Sequence, residues 1–198
     1  MRNAGKVARP APATRAAFAR LSEEIRSCRR CPLGAVRTQA VVYRGGLAPR
    51  LVFVGEAPGA AEDRAGVPFV GRSGRILDAA IASLGLGPEE YGVLNVLKCR
   101  PPRNRFDAAA ARTCRPYLDA QLRLLRPRAL VTLGAVALRA IDPDAPPVLR
   151  AAGAPRDGAA VPLFPLVHPA ASLRSGRLRE RWLADVRALS TWLASTSF

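Results

Sequence analysis

Short apolar runs that end in glycine or asparagine alternate along this chain with segments of helical period, and that alternation admits few architectures. Arg50 to Gly55 (RLVFVG) is a continuous apolar run closed by glycine, the pattern of a buried strand. After a Gly/Pro-rich loop, Ser73 caps a helix that turns Ile76, Leu77, Ala80, Ile81 and Leu84 inward. Tyr91 to Lys98 predicts a second strand. Asp107 caps a helix reaching about Leu125, broken or kinked near Pro116. Ala129 to Leu133 predicts a third strand, and Gly134 starts a short helix. Val161 to Val167 predicts a fourth strand, irregular or at an edge because of Pro162 and Pro165. The chain opens on a helix capped by Thr14 and running to about Ser27, with Phe18, Leu21 and Ile25 on one face. It closes on a helix over Leu178 to Leu193 with Trp182, Val186, Leu189 and Leu193 inward. Strands that alternate with helices predict an α/β fold with a parallel sheet covered on both faces. Such sheets bind ligands at the carboxyl ends of their strands.

The 198 residues suit one domain, expected over 14–198, behind a basic tail, 1–13, rich in Ala and Pro. With 49% hydrophobic and 23% charged residues, the chain is neither a disordered protein nor a fibre. No stretch approaches the roughly 20 apolar residues of a membrane span. The N-terminus has no apolar leader, so a cytoplasmic protein is expected. Lys and Arg number 31 against 15 Asp and Glu, a net charge of +16, and only Lys6 and Lys98 are lysines. A GC-rich genome explains arginine over lysine but not the excess of base over acid. That excess points to a polyanionic partner, most simply nucleic acid.

The four cysteines are Cys28, Cys31, Cys99 and Cys114. Cys28-x-x-Cys31 has metal or redox spacing. It closes the first helix rather than following a strand, which argues against thioredoxin-like redox chemistry. Cys99 ends a strand and Cys114 lies on the next helix, so the four thiolates converge if the first helix packs near that strand end. Four thiolates suit zinc or an iron–sulfur cluster. One close pair with two distant partners favours the cluster.

At the predicted strand ends sit most of the unusual polar residues. Gly55-Glu56-Ala57-Pro58-Gly59 allows close backbone approach to a ligand, although it is neither a P-loop nor a dinucleotide fingerprint. Phe69 stands in a loop otherwise rich in glycine and charge, where it serves either as a plug under the loop or as a platform for a flat ring. Asn95 interrupts an apolar strand. Its amide offers a donor and an acceptor side by side, suited to one edge of a nucleobase or to a backbone partner. His168, the chain's single histidine, follows a strand and precedes Pro169. One histidine excludes a His-rich metal centre, and no serine lies in a G-x-S-x-G elbow.

Taken together these segments resemble the iron–sulfur (family 4) uracil-DNA glycosylases. The resemblance rests on Cys28-x-x-Cys31, VFVGEAPG (52–59), EDRAGVPFVGRSG (62–74), NVLKCRPPRNR (95–105), Cys114-Arg115-Pro116 and HPAASLR (168–174), in family order over roughly residues 20–190. A related family that traps uracil-DNA covalently carries GEQPG and a Lys/Arg-rich insertion with a histidine before its third cysteine. Here Cys99 leads straight into Arg100-Pro101-Pro102, so a turnover enzyme is expected.

The resemblance implies a three-layer α/β/α sandwich with a four-stranded parallel sheet, and a [4Fe–4S] cluster on Cys28, Cys31, Cys99 and Cys114. It implies a monomer acting on uracil-containing DNA, associated with the nucleoid of a bacterium or archaeon, in base excision repair. Gly55, Phe69, Asn95 and His168 would bind the flipped base: Phe69 by stacking, Asn95 through O4 and N3–H, and His168 through O2, where it stabilises the departing anion. Leu173 would fill the vacated stack and Arg174 hold phosphate. The better-known uracil glycosylases carry an Asp and a Tyr where this chain has Ala57 and Gly59. Glu56 is therefore expected to bind or orient the water, with Glu62 or Asp63 covering either lost function. The competing readings are a glycosylase of wider deaminated-base scope and a noncatalytic DNA-binding module stapled by a metal or cluster.

Overall fold

β2 (Leu51–Gly55) is buried at every position, and the sheet extends outward from it on both sides. A computed structural model describes residues 10–157 and 161–196. Along the chain come α1 (Pro12–Ser27), α2 (Leu33–Val36), β1 (Arg44–Gly45), β2, α3 (Ala60–Ala65), α4 (Arg72–Ser83) and β3 (Tyr91–Asn95). A single 3-10 turn (Pro102–Asn104) leads to α5 (Ala108–Leu125), β4 (Ala129–Leu133), α6 (Ala135–Ile141), α7 (Val148–Ala151), β5 (Leu163–Leu166), α8 (Pro169–Ser172) and α9 (Gly176–Ser195). The sheet order is β1-β3-β2-β4-β5. β3, β2, β4 and β5 run parallel, and β1 adds two antiparallel residues on β3. The sheet is thus five-stranded rather than four-stranded. β1 escaped the sequence pattern because an Arg-Gly pair carries no apolar alternation.

Alternate residues of the strands feed two cores. Phe53, Val93, Val131 and Phe164 pack with Leu77, Ala80 and Ile81 of α4 and with Trp182, Val186 and Leu189 of α9. Val52, Val54, Leu94 and Leu130 pack with Phe18 of α1, Leu118 and Leu125 of α5, and Leu138 of α6. Strands apolar at consecutive positions are what a sheet buried on both faces requires.

Several boundaries differ from the sequence expectation. α1 starts at Pro12 after Ala11, with no side-chain cap, so Thr14 lies inside the helix. Proline suits a first helical position because its missing N–H costs nothing there. Residues 1–9 of the expected tail lie outside the described residues. α4 starts at Arg72 after Gly71, which makes Ser73 its second residue and not its cap. β3 stops at Asn95, where its neighbour β2 gives way to a loop, although Val96 and Leu97 still donate to the carbonyls of Gly55 and Glu56. Cys99 accordingly sits in the following loop rather than at a strand end. α5 runs unbroken through Pro116. Asp107 does cap α5, accepting from the Ala110 amide at 2.9 Å. β5 does carry Pro165 at the sheet's edge, where one lost donor is tolerated.

Leu118 is fully buried between α5 and the sheet, whereas Asp107 contributes a single cap. Leu118→Ala is expected to cost about 2–5 kcal/mol and Asp107→Ala about 1 kcal/mol. Thermal melts of the two variants therefore differ, with the larger drop for Leu118→Ala; an equal drop would contradict this packing.

Candidate functional site

The parallel ladder ends with Gly55 of β2 opposite Asn95 of β3. A cleft opens there, with about 1480 Å³ of empty space counting its mouth, and Glu56, Glu62, Phe69, Asn95, His168, Leu173 and Arg174 all line it. Asn95 is 1% exposed, and its Oδ1 has no hydrogen-bond partner among the described residues. A buried amide oxygen left unpaired costs about 1–3 kcal/mol, a cost that a ligand donor would remove. Gly55, expected to bind the base, is buried at the end of β2 and does not itself line the cleft. A Cβ there would run into Asn95 Oδ1 and come within 2.6 Å of the Phe69 ring. Only glycine lets the amide and the ring meet over this strand end.

Phe69 holds a left-handed backbone at φ 56°, a strained state for an aromatic residue. Two neighbours impose it. Gly74 leaves room for the Phe69 carbonyl, which a Cβ at 74 would strike. Glu62, on the first turn of α3, accepts from the Val70 amide at 3.0 Å and the Gly71 amide at 2.8 Å through Oε1, and from the Gly59 amide at 3.0 Å through Oε2. One carboxylate thus ties the Gly55–Gly59 loop to the Phe69 loop. With three backbone amides donating to it, Glu62 is a positioning residue whose lone pairs are engaged. Asp63 is likewise engaged, both of its oxygens accepting from the Thr38 amide.

Glu56 differs. Half-buried at the cleft, its carboxyl has no hydrogen-bond or ion-pair partner among the described residues, and burial raises its pKa. A free carboxyl with a raised pKa is what a water-binding base needs.

His168 caps α8, its Nδ1 accepting from the Ala170 amide at 3.1 Å. That bond makes Nδ1 the unprotonated nitrogen, so the proton of the neutral ring sits on Nε2. Burial, reinforced by the Arg174 charge, lowers the His168 pKa to about 4. The ring lies 5.9 Å from the Phe69 ring, centroid to centroid, at 31°. Gly134, at φ 92° after β4, gives His168 its place, since a Cβ there would lie 3.0 Å from the His168 Cβ. Leu173 is 45% exposed, and Arg174 follows it. Arg72, Ser73, Pro101 and Asn104 also line the cleft and were not singled out from the sequence. Ser73 and Arg72 could have been found through the glycines that flank them.

The four cysteines meet at a second, small pocket, shared with Ile25, Gly34, Arg37, Lys98 and Tyr117. Cys28 ends α1, Cys31 precedes α2, Cys99 follows β3 and Cys114 is on α5. All four are free thiols. Among the described residues no three His, Cys, Asp or Glu side chains are drawn close enough to hold one metal ion. Arg37 donates to Cys99 Sγ at 2.9 Å. Burial raises the Cys99 and Cys114 pKa values, against the Arg37 charge at the first and the Lys98 charge at the second. Lys98, 1% exposed, donates its ammonium to the Asn95 carbonyl and so links this pocket to the cleft. Its signal in the sequence is a lysine inside the apolar run VLNVLKC.

The model of the uracil DNA glycosylase superfamily matches residues 42–188. A type-4 uracil-DNA glycosylase of Thermotoga maritima is 37% identical over 178 residues, 87% of this chain and 93% of that protein. One from Archaeoglobus fulgidus is 39% identical, over 84% of this chain and 88% of its own. A type-5 uracil-DNA glycosylase of Pyrobaculum aerophilum is 32% identical over 72% of this chain and 71% of its own.

The single histidine makes one measurement unambiguous. In 15N-resolved NMR the His168 ring is expected to stay neutral, with its proton on Nε2, down to about pH 4. The unfolded chain takes up that proton near pH 6.5, so the stability this ring contributes is full above pH 6.5 and is lost as pH falls toward 4. A midpoint near 6.5 in the folded protein would contradict its burial.

Proposed function

The chain belongs to the uracil DNA glycosylase superfamily, among its type-4 members, and from that membership we propose that it excises uracil from DNA by hydrolysing the N-glycosidic bond. The observation that carries this reading to the level of residues is the unpaired, buried Asn95 Oδ1 at the floor of a cleft shared with Phe69 and His168. An acceptor there suits the N3–H of uracil, with the amide N–H toward O4. Cytosine carries an acceptor at N3 and a donor at N4, so it would leave buried groups unpaired, the strong form of discrimination.

The target nucleotide leaves the stack and enters the cleft, where Phe69 stacks on the base and Leu173 fills the gap left behind. As the C1′–N1 bond breaks, its electron pair moves onto the uracil ring. His168, neutral, donates Nε2–H toward O2, where that charge gathers. Glu56 holds the water that attacks C1′ and takes its proton. Glu62 acts indirectly, keeping the two loops and the Phe69 ring in register. Arg174 binds phosphate.

Cys28, Cys31, Cys99 and Cys114 would hold a [4Fe–4S] cluster. The fit rests on their common pocket and on the two cationic groups beside them, which suit a site of net negative charge. A single zinc ion would need the four sulfurs about 3.8 Å apart, since each Zn–S bond is about 2.3 Å. Bound there, the cluster supplies a tie between α1, the loop after β3, and α5, and the reaction proceeds outside it. On the same reading the fold is a three-layer α/β/α sandwich, supported by the two cores on opposite faces of the sheet. It forms a single domain over 14–198 that works as a monomer on chromosomal DNA, in the cytoplasm of a bacterium or archaeon. No helix among the described residues is long and apolar enough to cross a membrane.

A uracil-containing oligonucleotide treated with the protein and then with alkali is expected to break at the uracil; an intact strand overturns the reading. His168→Ala is expected to slow single-turnover cleavage by about 100-fold, the usual loss for one such donor, with far less change in binding. Asn95→Asp should slow uracil release and gain some release of cytosine. A parent rate in His168→Ala would make the histidine structural.

The purified protein is also expected to be brown, with iron and acid-labile sulfide, and to lose soluble yield in Cys99→Ala or Cys114→Ala. Colourless protein with stoichiometric zinc, prepared without air, would refute the cluster.

A further inference from the structure

Two loops leave the parallel strands on either side of the cleft. Beyond β5, the end of α8 brings Leu173 and Arg174, and the loop after β3 brings Pro101 and Asn104 to the same walls. β3 and β5 are separated by β2 and β4, so three strand spacings of about 4.8 Å set the loop roots about 14 Å apart. Measured along the axis of a DNA duplex that is about four base-pair steps of 3.4 Å.

The β3 loop is held in one shape. Arg103 and Asn104 both adopt left-handed backbone, at φ 55° and 56°. The Asn104 amide donates to the Pro101 carbonyl at 3.0 Å and the Arg105 amide to the Pro102 carbonyl at 3.1 Å. Arg100 donates to the Asn104 side chain at 2.9 Å. What this loop presents outward is cationic and unpaired. Arg103 and Arg105 are exposed and make no ion pair among the described residues. The nearest acid in sequence, Asp107, accepts from the Ala110 amide as the cap of α5. Phe106, 37% exposed, adds a flat apolar face beside them. Unpaired guanidinium groups next to an exposed ring, on a rigid loop at a ligand cleft, are the elements of a nucleic-acid surface.

We propose that residues 100–106 form a second grip on the DNA backbone, in which Arg103 and Arg105 hold phosphates to one side of the target nucleotide while Arg174 holds the other. This rests on the glycosylase reading for the identity of the ligand in the cleft. The grip acts in binding and not in the chemical step, because neither guanidinium lines the cleft.

The test compares the parent protein with the double variant Arg103→Ala/Arg105→Ala and with Arg20→Ala, an exposed arginine on α1. Binding is read by fluorescence anisotropy on a duplex with one tetrahydrofuran abasic site, which cannot be cleaved, from 50 to 300 mM salt. The double variant should bind about 10-fold or more weakly near 100 mM salt, and its log–log salt slope should fall by about 2, one unit for each phosphate that is no longer held. Arg20→Ala should stay within about two-fold of the parent. Cleavage at saturating enzyme should also stay within about two-fold, and Arg103→Lys/Arg105→Lys should recover most of the affinity because the interaction is with charge. Parent-like affinity and slope in the double alanine variant would overturn the proposal, as would a loss of binding accompanied by loss of bound iron or of thermal stability. A parent protein that releases no uracil, yet binds this duplex in a loop-dependent way, would sink the glycosylase reading and leave the grip standing. A parent that does release uracil, with a variant that binds like it, would sink the grip alone.

Discussion

Gly55 and Asn95 face each other at the last rung of the β2–β3 ladder, and the site depends on that pairing. Parallel pairing puts the carboxyl ends of neighbouring strands together. A residue without a side chain therefore lies beside a residue whose amide is buried. Because both faces of the sheet are packed, a strand that slid by one residue would exchange the side chains of the two cores and misfit both. The polar rung is held by apolar packing several residues away.

Three glycines then make room for three residues that line the cleft. Gly55 admits the Asn95 amide and the Phe69 ring, Gly74 admits the Phe69 carbonyl, and Gly134 admits His168. Phe69 could not hold its left-handed backbone unaided. The Glu62 carboxylate imposes it by accepting amides from two loops at once. This division of labour between two nearby carboxyls has a physical basis. Glu62 accepts from three amides and is a strut, whereas the Glu56 carboxyl has no partner among the described residues and faces the cleft.

Burial does further chemical work at His168 and Lys98. At His168 it suppresses the imidazolium form, so near neutral pH the ring is an uncharged donor at Nε2. At Lys98 it lowers the pKa to about 8 while the ammonium bridges the Asn95 carbonyl and the cysteine pocket. The two pockets are thus neighbours through a single side chain, although the cysteines lie outside the cleft lined by Phe69, Asn95 and His168.

Much of this was legible in the sequence, for reasons that are local. RLVFVG and ALVTL are apolar at consecutive positions, which only a doubly covered strand tolerates, and the strand at Ala129–Leu133 has the predicted bounds. Asp107 reads as a cap because its side chain needs only the next turn of its own helix. The cysteine spacing and the order of the motifs were likewise visible along the chain. Features decided by distant partners were not. Ser73 has the chemistry of a cap, yet the two-loop hold of Glu62 on Gly71 starts α4 at Arg72. Tyr91–Lys98 is apolar enough for a longer strand, but β3 ends where β2 does, because a strand is defined by its neighbour. Glu56 and Glu62 are the same residue type six positions apart, and no local pattern tells the free carboxyl from the strut. Their roles follow from which amides reach them, and that is set by how the loops fold over the strand ends. The amino-acid sequence by itself determined the class of fold, the strand ends that carry the site and the residues gathered there. The tertiary structure alone decided which of those residues are left free to act, since hydrogen-bond satisfaction and burial belong to the assembled core and to no segment of it.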